Sequence, residues 1–549
     1  MSRAVELVFQ IEPKLATEWL HERAERSRGA KRKAGGWSVG PAVADALKRT
    51  RGVVTTGPRE AVTVRVVERD SEHARLVLEE SSDERRLMTF RAADLVPGVT
   101  LRHTVRDVQL EPGTPPAASD QLPPEFKAGT SESGGCAPAA PLAAYRTVLL
   151  WHAPGGRPVE ITLLDALDSA PERGAPAVQD AAGQSGFLSS FCELRLSCAC
   201  DDGTPDSDRA NISARAATSA LFAAAQLLVD RLPAFPVLTD AYARAAGETF
   251  GAEPQRASHV VLAGARTPHE ALIAIAGSVA RQWFGNERGA RESGTIEFVH
   301  QMRVSLRRAK TMLKIFPRWA DEAWQTRVAP GLKWLGELLG EARDLDVFVD
   351  STLPALVAAD ADPSAWSSLI AAADARRLEA RATLQQALRS RRYAQLSLAW
   401  LEWLAGQRFS AGPQDHAERA VRAYAAKRVR RHFKRLTADP ALTSLDAAGL
   451  HRRRIEAKRL RYTLEFFEPL VAPGKRRKSG KQLSQIQTVL GEACDAAAAL
   501  RFLESEHFDV TPYQRGFARG WYQAVNRSAA IEGERLIRKL RRPKLVRDV

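Results

Sequence analysis

A helical signature occurs twice in this chain, and its two copies keep the same spacing over a long distance. The first copy runs from His300 through Arg303, Arg307 and Arg308 to Lys310. The second runs from His451 through Arg454, Lys458 and Arg459 to Arg461. In both, basic residues stand three, seven, eight and ten positions after the histidine, and a phenylalanine (Phe316, Phe467) stands sixteen after it. A second pair follows in register: Leu339-Gly340-Glu341-Ala342-Arg343-Asp344 matches Leu490-Gly491-Glu492-Ala493-Cys494-Asp495. His451 lies 151 residues after His300, and Gly491 lies 151 after Gly340. Two separate motifs held in register mean a duplicated structural unit.

On a helical wheel His300, Arg303, Arg307, Lys310 and Lys314 fall within about 80° of one another. Met302, Val304, Leu306, Ala309, Met312, Leu313, Ile315 and Phe316 make up most of the rest, with Arg308 set apart amid this apolar arc. The second copy has a similar wheel, with Leu460, Leu464, Phe466 and Phe467 on its apolar arc, but Arg452 and Arg453 fall outside its stripe. An ordinary surface helix has a narrow apolar stripe and a broad mixed polar face; these proportions are reversed. Like charges stacked along a helix cost a few tenths of a kcal/mol per pair. An anion against the stripe offsets that cost, so the natural partner is a polyanion.

The charge is unevenly placed. Residues 1–250 hold 29 Lys+Arg against 33 Asp+Glu, while residues 251–549 hold 51 against 32, so the C-terminal half carries the excess. At 549 residues, two or three domains are expected. The five cysteines form no disulfide framework and point to a reducing compartment. The first residues lack a signal-peptide pattern, and no apolar run reads as long enough to span a bilayer. A soluble cytoplasmic protein without a membrane partner is expected.

Residues 1–250 read as β-rich. Strand composition occurs at 4–11, 62–67, 74–79, 99–108, 145–151, 159–164 and 191–196, which suggests a sandwich or barrel. Helices are expected near 14–26 and 214–231, a flexible insertion over 112–141 and an acidic turn over 201–208. Residues 268–545 read as helical throughout, in segments near 268–286, 296–316, 322–357, 364–391, 393–406, 415–437, 447–470, 481–504 and 511–541. With the repeat, the simplest architecture is two similar helical bundles about a pseudo-two-fold axis, with the two stripes facing.

The repeated signature, with the Leu-Gly-Glu-Ala-Arg-Asp-Leu-Asp segment after its first copy, resembles the CHAD domain family over roughly 260–545. The resemblance implies a pair of four-helix bundles that binds inorganic polyphosphate, and bacterial members associate with polyphosphate granules. It carries anion contact over to His300, Arg303, Arg307, Arg308, Lys310, His451, Arg454, Lys458, Arg459 and Arg461; Lys314 joins them by its place on the stripe. Cys494 departs from the polar residue frequent at that position. The N-terminal half is similar to a CYTH domain through Val5-Glu6-Leu7-Val8, Tyr145-Arg146-Thr147, Val159-Glu160-Ile161 and Cys192-Glu193-Leu194-Arg195. This similarity implies an eight-stranded triphosphate tunnel. The expected fold class is therefore α+β multidomain, with a tunnel-like antiparallel barrel over 1–250 and an all-α domain of two pseudo-symmetric four-helix bundles over 256–545.

The tunnel family opens on Glu-x-Glu-x-Lys, whose carboxylates hold a divalent metal; here Ala4, Glu6 and Val8 stand there. The later Glu-x-Glu is Phe191 and Glu193, and the terminal Ser-Lys is Thr239-Asp240. One carboxylate per strand is a poor metal cage, so a degenerate barrel without catalytic residues, metal or cofactor is expected. The leading expectation is a non-catalytic polyphosphate binder, found in the cytoplasm on polyphosphate granules. A metal-dependent triphosphatase in the barrel and nonspecific nucleic-acid binding are the alternatives. The stripes lack stacking rings apart from Tyr462, which argues against single-stranded nucleic acid, and DNA-reading motifs are absent. Asp344 and Asp495 are expected to pair with stripe arginines. Cys192, Cys198 and Cys200 read as strand residues rather than zinc ligands, and 475–481 as a solvated basic loop.

Overall fold

The computed structural model describes residues 2–12, 15–16, 39–69, 74–82, 84–110, 142–153, 156–167, 189–201, 208–245, 251–262, 264–410, 420–438, 441–471, 473–543 and 545. The expected insertion over 112–141, most of the expected helix near 14–26 and positions 202–207 of the expected acidic turn lie outside them. The chain divides into two compact units. One comprises residues 1–252 with 389–410, and the other 253–388 with 411–549.

The first unit is an antiparallel barrel. Its strands are β1 (Ser2–Ile11), β2 (Val53–Thr55), β3 (Glu60–Arg69), β4 (Ala74–Glu80), β5 (Arg85–Val96), β6 (Val99–Gln109), β7 (Leu142–His152), β8 (Pro158–Leu167), β9 (Ser189–Cys200) and β10 (Ala234–Pro236). Eight of them run in the order β1-β6-β5-β4-β3-β7-β8-β9, and β9 pairs back onto β1 with Phe9 opposite Leu194, which closes the barrel. Closure removes the exposed edges that an open sheet would present. β2 adds to β7 and β10 to β1. Helix α1 (Val39–Lys48) begins where the Gly40 amide donates to Asp165 Oδ2 at 3.2 Å. Helix α2 (Asp208–Val229) packs on β9 and β1.

By length and composition Arg209–Val229 could cross a membrane, contrary to the expectation from sequence. Its apolar residues are used otherwise: Ala217, Leu221, Ala225 and Val229 are fully buried within the folded unit. They provide cover for one face of the adjoining strands, where Val5, Leu7, Phe9, Leu194 and Leu196 are buried. Glu6, Glu193 and Arg195 occupy the alternate positions and belong to the opposite face.

The second unit begins with α3 (Pro268–Glu292), α4 (Ile296–Ile315), α5 (Ala329–Val347) and α6 (Ser367–Leu388). Consecutive helices of this set pack together, and α6 returns against α3. Thr267 starts α3 through a capping box with Glu270, followed by Pro268 at the first turn. The segment expected as one helix over 322–357 contains π-helical turns at Trp324–Val328 and Phe348–Thr352. Helix α7 (Arg391–Arg408) belongs to the barrel unit.

The second bundle is α8 (Val421–Thr437), α9 (Ala447–Phe466), α10 (Pro473–Leu503) and α11 (Pro512–Lys539), with α11 returning to α8. The expected loop over 475–481 is instead the start of α10, whose first residue is a proline; that position needs no intrahelical N–H donor. The bounds of α9 are those of α4 moved by 151 residues at both ends. Between the bundles α3 meets α8, α4 meets α9 and α5 meets α10, so equivalent helices face each other as a pseudo-two-fold requires. Leu345, Phe348, Leu353 and Trp366 share one core with Leu503, Phe508 and Val510, and this core ties the halves together.

Candidate cationic site between the helical bundles

Helices α4 and α9 form the centre of the site. On α4, Met302, Leu306, Ala309 and Met312 are buried, which fixes the rotation of the helix. On α9, Ala457, Leu460 and Leu464 do the same. Apolar anchoring leaves the expected stripes to face each other across the interface.

The two halves repeat their contacts. Arg303 Nη1 donates to Asp344 Oδ1 at 2.6 Å and to the Gly340 carbonyl at 3.2 Å. At the equivalent place Arg454 lies 3.9 Å from Asp495. A Cβ on Gly491 would stand 3.5 Å from the Arg454 guanidinium, and one on Gly336 only 2.6 Å from Lys310 Nζ. Glycine at 336 therefore makes room for a cation. Phe316 and Phe467 meet with ring centroids 6.0 Å apart.

Arg307 and Lys458 occupy equivalent positions and repel each other across the interface. Burial, followed by the charges of Arg303, Arg454 and Arg461, lowers the pKa of Arg307 against the opposing influence of Tyr462. Burial, then Arg454, Arg307 and Arg303, brings Lys458 down to about 7. Lys310 and Lys314 are exposed, and burial of part of each side chain lowers both; Arg459 adds to the effect on Lys314. Arg459 is ion-paired with Glu456, which also lies 3.2 Å from His432 Nδ1.

The histidines sit at the outer ends. His300 is half-buried and His451 exposed. Burial lowers the pKa of both, helped by Arg343, Arg307 and Arg303 at His300 and by Arg454, Lys458 and Arg501 at His451. His451 Nδ1 lies 3.6 Å from Cys494 Sγ, so the cysteine in place of a polar residue still makes a polar contact. Among the described residues, His300 Nδ1 and the Nε atoms of Arg307, Arg454 and Arg461 are buried without a hydrogen-bond partner. Such groups are costly unless an acceptor arrives.

The structure thus brings together Arg303, Arg307, Arg454, Lys458 and Arg461, with His300, Lys310, Lys314, His451 and Arg459 around them. Arg308 differs. Its side chain is 0 % exposed, its Nε is 2.9 Å from Glu465, and it donates to Gln282 at 2.8 Å and Ser278 at 3.2 Å. It is a structural cation, as its place on the apolar arc allowed. Its equivalent Arg459 faces Lys314 at the position equivalent to Glu465 and is paired instead with Glu456 on its own helix. Sequence reasoning passed over Arg501 as a neighbour of His451; it lies a helical distance beyond the second motif, where no spacing marks it.

Arg308→Met should lower stability by about 1–3 kcal/mol, the cost of leaving buried partners unpaired. It should leave anion affinity unchanged. Urea unfolding and a binding titration on the same preparation check both halves of this expectation.

These elements define a duplicated helical-bundle domain with a concentrated cationic face at its internal symmetry axis. Residues 274–504 match the CHAD domain family. The crystal structure of the CHAD domain from the plant Ricinus communis is 31% identical, with 54% of this chain and 99% of that chain covered and a TM-score of 0.45. PptA from Streptomyces chartreusis is 20% identical, with coverage of 50% and 99% and a TM-score of 0.38. No curated protein matches. The chain belongs to the CHAD family through its helical unit.

The barrel fits the fold that the CYTH resemblance implies, but its acids do not fit the implied metal. Glu6 pairs with Arg102 at 3.2 Å, and Glu79 with Arg146 at 2.7 Å. Arg195 stands between Glu193 at 3.4 Å and Asp240 at 3.8 Å, and Arg75 is 3.2 Å from Asp240. Tyr242 donates to Glu79 at 2.8 Å, beneath the Arg195 guanidinium. Among the described residues no three His, Cys, Asp or Glu side chains are grouped to hold a metal ion.

Proposed function

We propose that the helical unit binds inorganic polyphosphate on the face between its bundles, without chemical turnover, and that this anchors the protein at polyphosphate granules. The carrying observation is the meeting of Arg303, Arg307, Arg454, Lys458 and Arg461, where burial and then mutual repulsion lower the pKa values of Arg307 and Lys458. A chain of phosphates offers closely spaced acceptor oxygens and needs no stacking rings. Guanidinium groups bind it through charge-assisted bonds, with release of counterions. Tyr462 is buried, which removes the one ring the stripes could offer a base.

Purified full-length protein titrated with long-chain polyphosphate and with single-stranded DNA, at low and physiological salt, tests this reading. Tighter binding to polyphosphate at physiological salt supports it, and preference for DNA overturns it.

The barrel carries no triphosphatase activity in this proposal, because Asp240 and the glutamates neutralise its arginines internally. Incubation with tripolyphosphate and Mg²⁺ or Mn²⁺ should release no phosphate above background. Release that disappears in Glu6→Gln or Glu193→Gln would make the barrel an enzyme.

A further inference from the structure

Helix α8 carries seven Lys and Arg residues and no acid. Its inward face is ordinary: Val421, Tyr424, Ala425, Val429, His432 and Leu436 are buried. On its outward face Lys427, Arg430, Arg431, Lys434 and Arg435 are all exposed. Among the described residues none of these five side chains has an ion-pair or hydrogen-bond partner. The facing helix of the first bundle, α3, is unlike it: Arg288 pairs with Glu292 and Arg291 with Glu287. The duplication therefore explains the stripes of α4 and α9 but not this second concentration of charge.

Arg452 and Arg453, which fall outside the α9 stripe, lie where α8 meets α9. Arg453 Nη1 donates to the Arg435 carbonyl at 2.8 Å, and Arg452 is exposed. His451 is the next residue, so the cations of α8 run through the start of α9 into the inter-bundle face.

We propose that the outer face of α8 is a second track for the same polymer, which takes up the part of a long polyphosphate chain that extends past His451. This rests on the polyphosphate reading and adds selectivity for long chains. The stretch from Lys427 to Arg435 rises about 12 Å along the helix, room for several phosphates beyond those at the central face. Chemistry selects the occupant. The exposed face offers no large apolar side chain to enter a bilayer, and its rings do not form a stacking platform, since Tyr424 is buried and Phe433 half-buried. A chain held at the central face reaches the track at high effective concentration, so the second contact acts as avidity.

The test is the full-length protein with Lys427, Arg430, Arg431, Lys434 and Arg435 all changed to Ser, compared with the unaltered protein. Circular dichroism establishes that the helices are retained. Tripolyphosphate, long-chain polyphosphate and double-stranded DNA are titrated at several salt concentrations. Long-chain affinity should fall at least about tenfold, and the slope of log K against log salt should become shallower by roughly 3–4, while tripolyphosphate binding is unchanged. Unchanged long-chain affinity overturns the track. An equal loss for both phosphates also overturns it, because α8 then supports the central face itself. Selective loss of DNA binding assigns the face to nucleic acid instead. If the unaltered protein binds neither phosphate, the functional reading fails; if it binds both and only the α8 changes are silent, the track alone fails.

Discussion

Alanine at Arg303, Arg307, Arg454 and Lys458 together should remove measurable polyphosphate binding from a protein that still folds. Each charge-assisted bond to phosphate is worth roughly 1.5–3 kcal/mol before compensation. Either double replacement, Arg303 with Arg307 or Arg454 with Lys458, should therefore weaken affinity by about 10²-fold or more. The two doubles will not add simply, because Arg307 and Lys458 already disfavour each other's charge. Removing one relieves the other, so the free protein gains back part of what its ligand loses. For that reason the ligand-free melting temperature of Lys458→Ala should not fall. The salt dependence of binding should become shallower with each cation removed. Binding that survives the quadruple change, with the helical spectrum intact, would place the polymer elsewhere.

The central site was legible because the duplication marks it twice. A single basic helix is usually a solvated face, but a stripe that returns 151 residues later with its Gly340/Gly491 and Asp344/Asp495 partners predicts both the axis and the pairing across it. The contacts of Arg303 with Asp344 and of Arg454 with Asp495 repeat within each half, and Phe316 meets Phe467 across the axis. Arg308 was drawn into the site by the same repeat, although its wheel position set it among apolar residues. The repeat reports shared sequence, and burial decided the role.

Other elements were hidden for local reasons. β5 was missed because Leu87, Met88, Thr89 and Phe90 are buried in succession, with charges at the strand start, so the sequence has no alternation to read. The barrel interior is polar, and inward and outward faces differ less than in a half-buried sheet. Helix α1 and the start of α10 each open near a Pro-Gly or Gly-Pro pair, which reads as a turn but also suits a first helical turn. The neighbours that lower the pKa of Lys458 come from both halves of the repeat, and only the folded chain brings them together.

Polyphosphate affinity should fall as pH rises through 7. Lys458 sets the sign. In the free protein burial and the surrounding arginines hold its pKa at about 7, so it is half charged there and neutral at pH 9. A phosphate chain beside it favours the ammonium form and raises the pKa in the complex. Binding at neutral and alkaline pH therefore takes up a proton. Affinity is fully developed below the free pKa, falls by up to about tenfold per pH unit above it, and levels off past the raised pKa of the complex. Arg454, Arg307, Arg303 and Cys494 face Lys458, and burial raises the pKa of the Cys494 thiol, away from the neutral range. His300 and His451, lowered by burial and by nearby arginines, add a further rise only on the acid side of the ordinary histidine range. Titration calorimetry in buffers of different ionisation enthalpy reads the proton uptake directly. Lys458→Arg keeps the charge at every pH and should flatten the profile between pH 7 and 9 while preserving tight binding. Lys458→Met should flatten it at lower affinity. A profile that stays as steep in Lys458→Arg would show that the proton is taken up elsewhere.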